Sequence, residues 1–131
     1  MNSGGSGVTY STSSDYRLKE NVVDLTNGIE RVKQLQVRRF NFIDDNKTLD
    51  GFIAHEVQPI VPEAVTGEKD GMYTYTDEED GIEKTVPAYQ GIDQSKLVPL
   101  LTASLQEAIT RIESLETENA SIKSRLDALE N

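Results

Sequence analysis

The chain has no cysteine and no tryptophan, one histidine and four prolines, and aromatic residues fill only 6% of its 131 positions. Without cysteine there is no disulfide framework and no thiolate metal site, so redox compartment cannot be read. The single His stands in no cluster of metal ligands, and no metal site is expected. Positive charge is scarce as well: 13 Lys and Arg against 23 Asp and Glu give a net charge of -10. That argues against direct nucleic-acid binding, which needs a basic face. No run of eighteen apolar residues exists, so no membrane-spanning helix is expected. The N-terminus has no apolar signal core. Apolar residues make up 36% of the chain. That is lean for a compact monomer of one domain's length, and a long helix burying only one stripe would account for it.

What is present divides into three parts. Residues 1–13 are almost entirely Gly, Ser and Thr. They read as a flexible linker, the end of an upstream domain or a cloning scar. Residues 14–94 read as a small α+β head. Apolar positions at Val22, Leu25, Ile29, Val32 and Leu35 have near-helical spacing, interrupted at Thr26-Asn27-Gly28. They predict a helix from about Asn27, capped by Thr26 or Asn27, with Glu30 in its first turn. Val37 to Ile43 alternates as a strand, and Asp44-Asp45-Asn46 makes a turn. Ala54 to Val57 suits one helical turn, since Pro59 and Pro62 forbid more. Met72–Thr76 and Ile82–Val86 are β-rich and are joined by Asp77-Glu78-Glu79-Asp80-Gly81, which predicts a hairpin with an acidic tip. That run lacks the spaced ligands of a calcium loop and reads as solvated.

Residues 95–131 switch to heptads. With Leu105 at position a, the a and d positions are Val98, Leu101, Leu105, Ala108, Ile112, Leu115, Asn119, Ile122, Leu126 and Leu129. Only Ala108 and Asn119 are not Leu, Ile or Val. Asp93 or Ser95 can cap the start, and Pro99 is tolerable only near the first turn. The helix spans about 36 residues, roughly 54 Å. Three g-to-e′ pairs are opposite in sign: Arg111 with Glu116, Glu118 with Lys123, and Arg125 with Glu130. Such pairs choose a parallel, in-register partner, and Asn119 at position a sets the register. Mixed Leu and Ile at a and d disfavour a clean dimer. The expectation is a parallel homo-oligomeric coiled coil carrying an α+β head.

One short stretch carries candidate chemistry. In Ser14-Asp15-Tyr16-Arg17-Leu18-Lys19-Glu20-Asn21 a hydroxyl precedes an amine by five residues. A serine hydroxyl becomes a good nucleophile when a nearby base takes its proton. A lysine amine can be that base only when neutral, which burial or a cationic neighbour favours. Arg17 is a candidate for that neighbour. In a strand, residues i and i+5 face opposite ways, and in a helix they lie about 140° apart. A turn, or a second chain, is needed to bring the pair together.

The stretch Ser14-Asp15-x-Arg17-Leu18-Lys19-x-Asn21 resembles the opening of the C-terminal intramolecular chaperone domain of phage endosialidases, tail spikes and tail fibres. Gly51-Phe52-Ile53-Ala54-His55-Glu56-Val57 with Val61-Pro62-Glu63 is similar to that family's middle block. Tyr89, Ile92, Asp93 and Ser95-Lys96-Leu97-Val98-Pro99-Leu100-Leu101 are similar to its approach to the terminal helix. The resemblance covers roughly residues 14 to 131. It implies a homotrimer that aligns the upstream tail fibre or spike of the same polypeptide, then cuts itself off between Ser13 and Ser14. In that scheme Ser14 is nucleophile and Lys19 base, with Asp15, Arg17, Asn21 and His55 as candidate supporting residues. His55 enters because the family carries His or Gln there near its active site; a lone His is more often structural. No cofactor, nucleic acid or membrane is implied. The implied setting is the host cytoplasm during phage assembly, as the precursor of a virion tail protein. The same domain type occurs in a membrane-anchored eukaryotic transcription factor, a role the acidic chain does not suggest. The other reading is a non-catalytic trimerisation module in which Ser14 and Lys19 are incidental.

Overall fold

The computed structural model describes residues 13–131. The segment read as linker therefore lies outside the described residues, apart from Ser13. The architecture is α+β: three two-stranded antiparallel sheets, short helical turns and one long C-terminal helix.

From Ser13 the chain makes a 3-10 turn at Tyr16–Leu18 and runs without regular structure to helix α1, Gly28–Val32. Glu30 lies in the first turn of α1, as expected. The expected side-chain cap from Thr26 or Asn27 is absent. Asn27 occupies the N-cap position but sits at φ 60, in the left-handed region, and makes no capping bond. A capping side chain needs extended backbone to reach the next amides. Here the acceptor comes from far along the chain: Ile29 N donates to Glu107 Oε1 at 3.2 Å.

Strand β1, Arg38–Phe40, pairs with β2, Leu49–Gly51, with Arg39 opposite Asp50. The strand is shorter than the expected 37–43. The Asn41 amide donates to the carbonyls of Phe42 and Asp45 and turns the chain early, with Asp44 at φ 71. Helix α2 is the single turn Ala54–Val57. After a 3-10 turn opened by Pro62, β3 (Val65–Thr66) pairs with β6 (Gly91–Ile92).

Between them, β4 (Met72–Thr76) and β5 (Glu83–Pro87) form the expected hairpin, with Tyr73 and Tyr75 stacked at 5.9 Å. At its tip Lys84 Nζ lies 2.7 Å from Asp77 Oδ2 and 3.3 Å from Asp80 Oδ2. The acidic run is thus partly neutralised from its own strand. Among the described residues no group of acidic or His side chains is arranged to hold a metal.

The core is small. Val57, Val61, Ala64, Val65, Leu97 and Leu100 are buried, with Leu35, Phe52, Ala54, Ile60 and Ile92 packed around them. A 3-10 turn at Gln94–Leu97 is capped by the Asp93 carboxylate, which accepts from Ser95 N and Ser95 Oγ. It leads into α3, Val98–Glu130, with Pro99 in the tolerated first turn. Helix α3 has two unlike faces. Leu100 and Ser104 are buried against the head. The a and d residues Leu105, Ile112, Leu115, Ile122 and Leu126 are all exposed, Leu105 at 63%. No helix among the described residues is long and apolar enough to cross a membrane.

α1 seats on α3 through a glycine. A Cβ added at Gly28 would lie 2.8 Å from Ser104 Oγ and 2.9 Å from Ser104 N. Real Cβ contacts are not that short, so the two backbones approach as closely as only glycine permits. This contact and the Glu107 cap tie the N-terminal segment to the long helix.

Candidate functional site

The 3-10 turn supplies what strand or helix geometry cannot. Leu18 N donates to Asp15 O at 3.0 Å, and Lys19 N to Tyr16 O at 3.1 Å. Asp15 caps the turn, its Oδ1 accepting from Arg17 N at 2.9 Å. Lys19 leaves it extended, at φ -122 and ψ 147. The result is a contact within one chain: Lys19 Nζ donates to Ser14 Oγ at 2.5 Å. With the amine neutral, the same contact can run the other way, and the hydroxyl proton then has an acceptor in place.

Arg17 does not stand as a free cation beside the amine. Its Nε donates to Asp15 Oδ1 and its Nη2 to Asp15 Oδ2, each at 3.0 Å. The Arg17 guanidinium holds the Asp15 carboxyl below the usual carboxylate range, and Asp15 in turn raises Arg17. The positive charge is largely compensated by that carboxylate.

The other candidates are scattered. Asn21 sits two residues beyond Lys19 at φ 55, where the chain changes direction. Left-handed backbone suits Asn better than most residues. His55 is exposed on α2 and lines an open hollow at the base of the hairpin with Glu68, Lys69, Tyr89 and Gln90. Among the described residues it makes no hydrogen bond to Ser14 or Lys19. Residues 13–27 are all exposed, so no other described part of this chain shields the Ser14–Lys19 contact from water. Among the described residues no donor bonds the Ser13 carbonyl.

Three residues that position this segment escaped the reading of the sequence. Gly28, Ser104 and Glu107 fix α1, and hence the end of the segment, to α3. Glu107 falls at heptad position c and Ser104 at g, outside the a/d stripe. The one available signal was a glycine just inside a predicted helix start.

Residues 14–66 match the family model Peptidase_S74, chaperone of endosialidase. That segment, from the candidate nucleophile through β3, is similar to this family of chaperone domains. No curated protein matches the chain.

Proposed function

We propose that the chain is an intramolecular chaperone that trimerises through α3, holds the upstream part of a phage tail fibre or spike in register, and then releases itself by cutting between Ser13 and Ser14. The matched family model is described as a chaperone, which supports that role. The observation that carries the cut is the 2.5 Å contact between Lys19 Nζ and Ser14 Oγ at the first residue of the family match. The reaction balances without a cofactor. Neutral Lys19 takes the Ser14 hydroxyl proton, and Ser14 Oγ forms a bond to the Ser13 carbonyl carbon. The Ser13–Ser14 C–N bond breaks, and the departing nitrogen takes a proton from the lysine. Water then cleaves the ester, leaving a carboxylate on Ser13 and Ser14 as a new N-terminus. The exposed a/d stripe of α3 supports the assembly, because an apolar seam of that length is stable in water only against partner helices. The setting is the host cytoplasm during phage assembly, with the chain as part of a virion tail precursor.

The test is a mass spectrum of freshly made protein. Wild type should give two pieces divided at Ser13–Ser14, and hydroxylamine should trap the ester as a hydroxamate on Ser13. Ser14→Ala and Lys19→Ala should stay whole, and Asp45→Ala should cut like wild type. Light scattering should give about three times the chain mass of 14.5 kDa. Equal cutting by wild type and Ser14→Ala would remove Ser14 as nucleophile. A second reading, a trimerisation module that does not cut, is favoured by the exposure of the pair. A wild-type chain that stays whole as a trimer would establish it.

A further inference from the structure

The segment that carries Ser14 and Lys19 receives no packing from the head, yet it is not featureless. Its apolar side chains Tyr16 and Leu18 stand in water, 82% and 70% exposed. A single 3-10 turn has little stability of its own, because one turn fixes several dihedrals for few hydrogen bonds. Beside the Lys19 N to Tyr16 O bond, those that hold it converge on Asp15. Its carbonyl accepts from Leu18 N, its Oδ1 from both Arg17 N and Arg17 Nε, and its Oδ2 from Arg17 Nη2.

We propose that Asp15 and Arg17 are positioning residues: together they clamp the turn that sets the Lys19 amine on the Ser14 hydroxyl. The proposal rests on reading Ser14 and Lys19 as nucleophile and base, and it gives Arg17 a role other than that of a cation acting on the amine. The geometry requires these two side chains. A carboxylate at position 15 can cap the Arg17 amide and still present both oxygens to a fork. A guanidinium is the side chain whose planar donors meet both oxygens at once, and an ammonium cannot. The fork folds the Arg17 side chain back onto Asp15. The two residues that flank the clamp, Ser14 and Lys19, are then brought together across the turn. Without it the chain from Ser14 to Lys19 samples many conformers, and the productive contact becomes a minor one. A misplacement of about 1 Å between reacting groups can cost up to about a hundredfold in rate.

The experiment uses the full chain and follows first-order cutting by denaturing gel across pH. The charged groups on the segment are Asp15, Arg17, Lys19, Glu20 and Asp24, and among the described residues no other element packs on the Ser14–Lys19 turn. Asp15→Ala and Arg17→Lys should each slow cutting by roughly tenfold or more. In both, the oligomer mass and the melting temperature should stay unchanged, and in Arg17→Lys, which keeps the positive charge, so should the pH of half-maximal rate. Asp15→Asn, which keeps the cap and loses the fork, should fall between. In an uncut Ser14→Ala background, the amide contacts of the 15–18 turn seen by NMR should weaken with Arg17→Lys. Wild-type cutting by Arg17→Lys would overturn the proposal. So would an upward move of the half-maximal pH in Arg17→Ala, the signature of a lost cationic neighbour. If wild type cuts, Ser14→Ala does not, and the clamp variants cut like wild type, the clamp alone falls. If wild type never cuts, the dyad reading fails and the clamp falls with it.

Discussion

Replacing Gly28 by Ala tests how the N-terminal segment is anchored. The added methyl would stand 2.8 Å from Ser104 Oγ, 2.9 Å from Ser104 N and 3.1 Å from Ser104 Cα. A rotamer change could move the Oγ, although it donates to Leu100 O at 2.8 Å. The amide nitrogen and Cα belong to the backbone of α3 and cannot give way without bending the helix. So α1 must back off by several tenths of an ångström, loosening the Ile29 N to Glu107 bond with it. Overpacking of this kind costs about 1–3 kcal/mol. Alanine returns at most about 1 kcal/mol through its smaller unfolded-state freedom. At the middle of those ranges the net is a loss of about 1–2 kcal/mol, or about 4–8 °C in melting temperature for a chain of this size. Circular dichroism melts at one chain concentration would measure it, since assembly makes the midpoint concentration-dependent. Adding Ser104→Ala should not rescue the variant, because the backbone contact remains. A Gly28→Ala protein that melts at or above the wild-type temperature would show that α1 is not seated on α3 in solution.

Other outcomes follow from the same geometry. Glu107→Ala removes both the acceptor for Ile29 N and the partner of Arg111 at 2.8 Å; it should cost about 1 kcal/mol, by analogy with a lost N-cap, and raise amide exchange in α1. Ile112→Asp with Leu115→Asp puts charge into adjacent layers of the stripe, at roughly several kcal/mol per layer. Light scattering should then report monomers, and cutting at Ser14 should fall until the variant is fused in register to an unrelated trimeric coiled coil. Lys84, and the amides of Glu79 and Asp80, hold the Asp77 carboxyl below the usual range. Its contribution is therefore present above the ordinary carboxylate pKa of about 3.9 and lost as pH falls through the lower folded value. Amide exchange at Asp77–Ile82 should rise in acid well before α3 melts, and Lys84→Met should remove that dependence.

Periodic features were legible in the sequence because each residue there reports the same constraint. The a/d stripe of α3 repeats over many turns, and the alternation of β4 and β5 fixes a hairpin with its acidic tip. The Ser14/Lys19 pair was legible as a motif, but its means of closure was not. The clamp rests on two residues read only as supporting ones, and an Asp capping the amide two residues on leaves no periodic trace. The helix cap was misread for a different reason. Thr26 and Asn27 have capping chemistry, but the left-handed backbone at Asn27 turns its side chain away, and Glu107 takes over from 78 positions along the chain. Contacts such as Gly28 on Ser104 depend on tertiary approach, which no local pattern encodes. The early end of β1 is similar, decided by where the Asn41 amide finds carbonyls.

The geometry separates two requirements that a Ser–Lys reaction places on its surroundings. Alignment is met within one chain, since a local turn sets Lys19 on Ser14 without a partner. Exclusion of water is not met there, since the whole segment is exposed. A lysine serves as a base only when its neutral form is favoured, and desolvation is one of the two ways to favour it. The other, a cationic neighbour, is weakened by the pairing of Arg17 with Asp15. What a single chain lacks is cover, and the place where cover could arise is visible. The segment ends on α1, α1 sits on α3 at Ser104, and a hollow beside it is lined by Leu25, Val98, Pro99, Thr102 and Ala103. Val98 is also the first a position of the heptad stripe. Any assembly that closes the stripe therefore buries one wall of this hollow and brings neighbouring chains to the base of the segment. In the proposed scheme the stalk and the cut would be linked through this shared surface. That is the physical reason for expecting a charge placed in the distant layers of Ile112 and Leu115 to slow a reaction whose own residues are untouched.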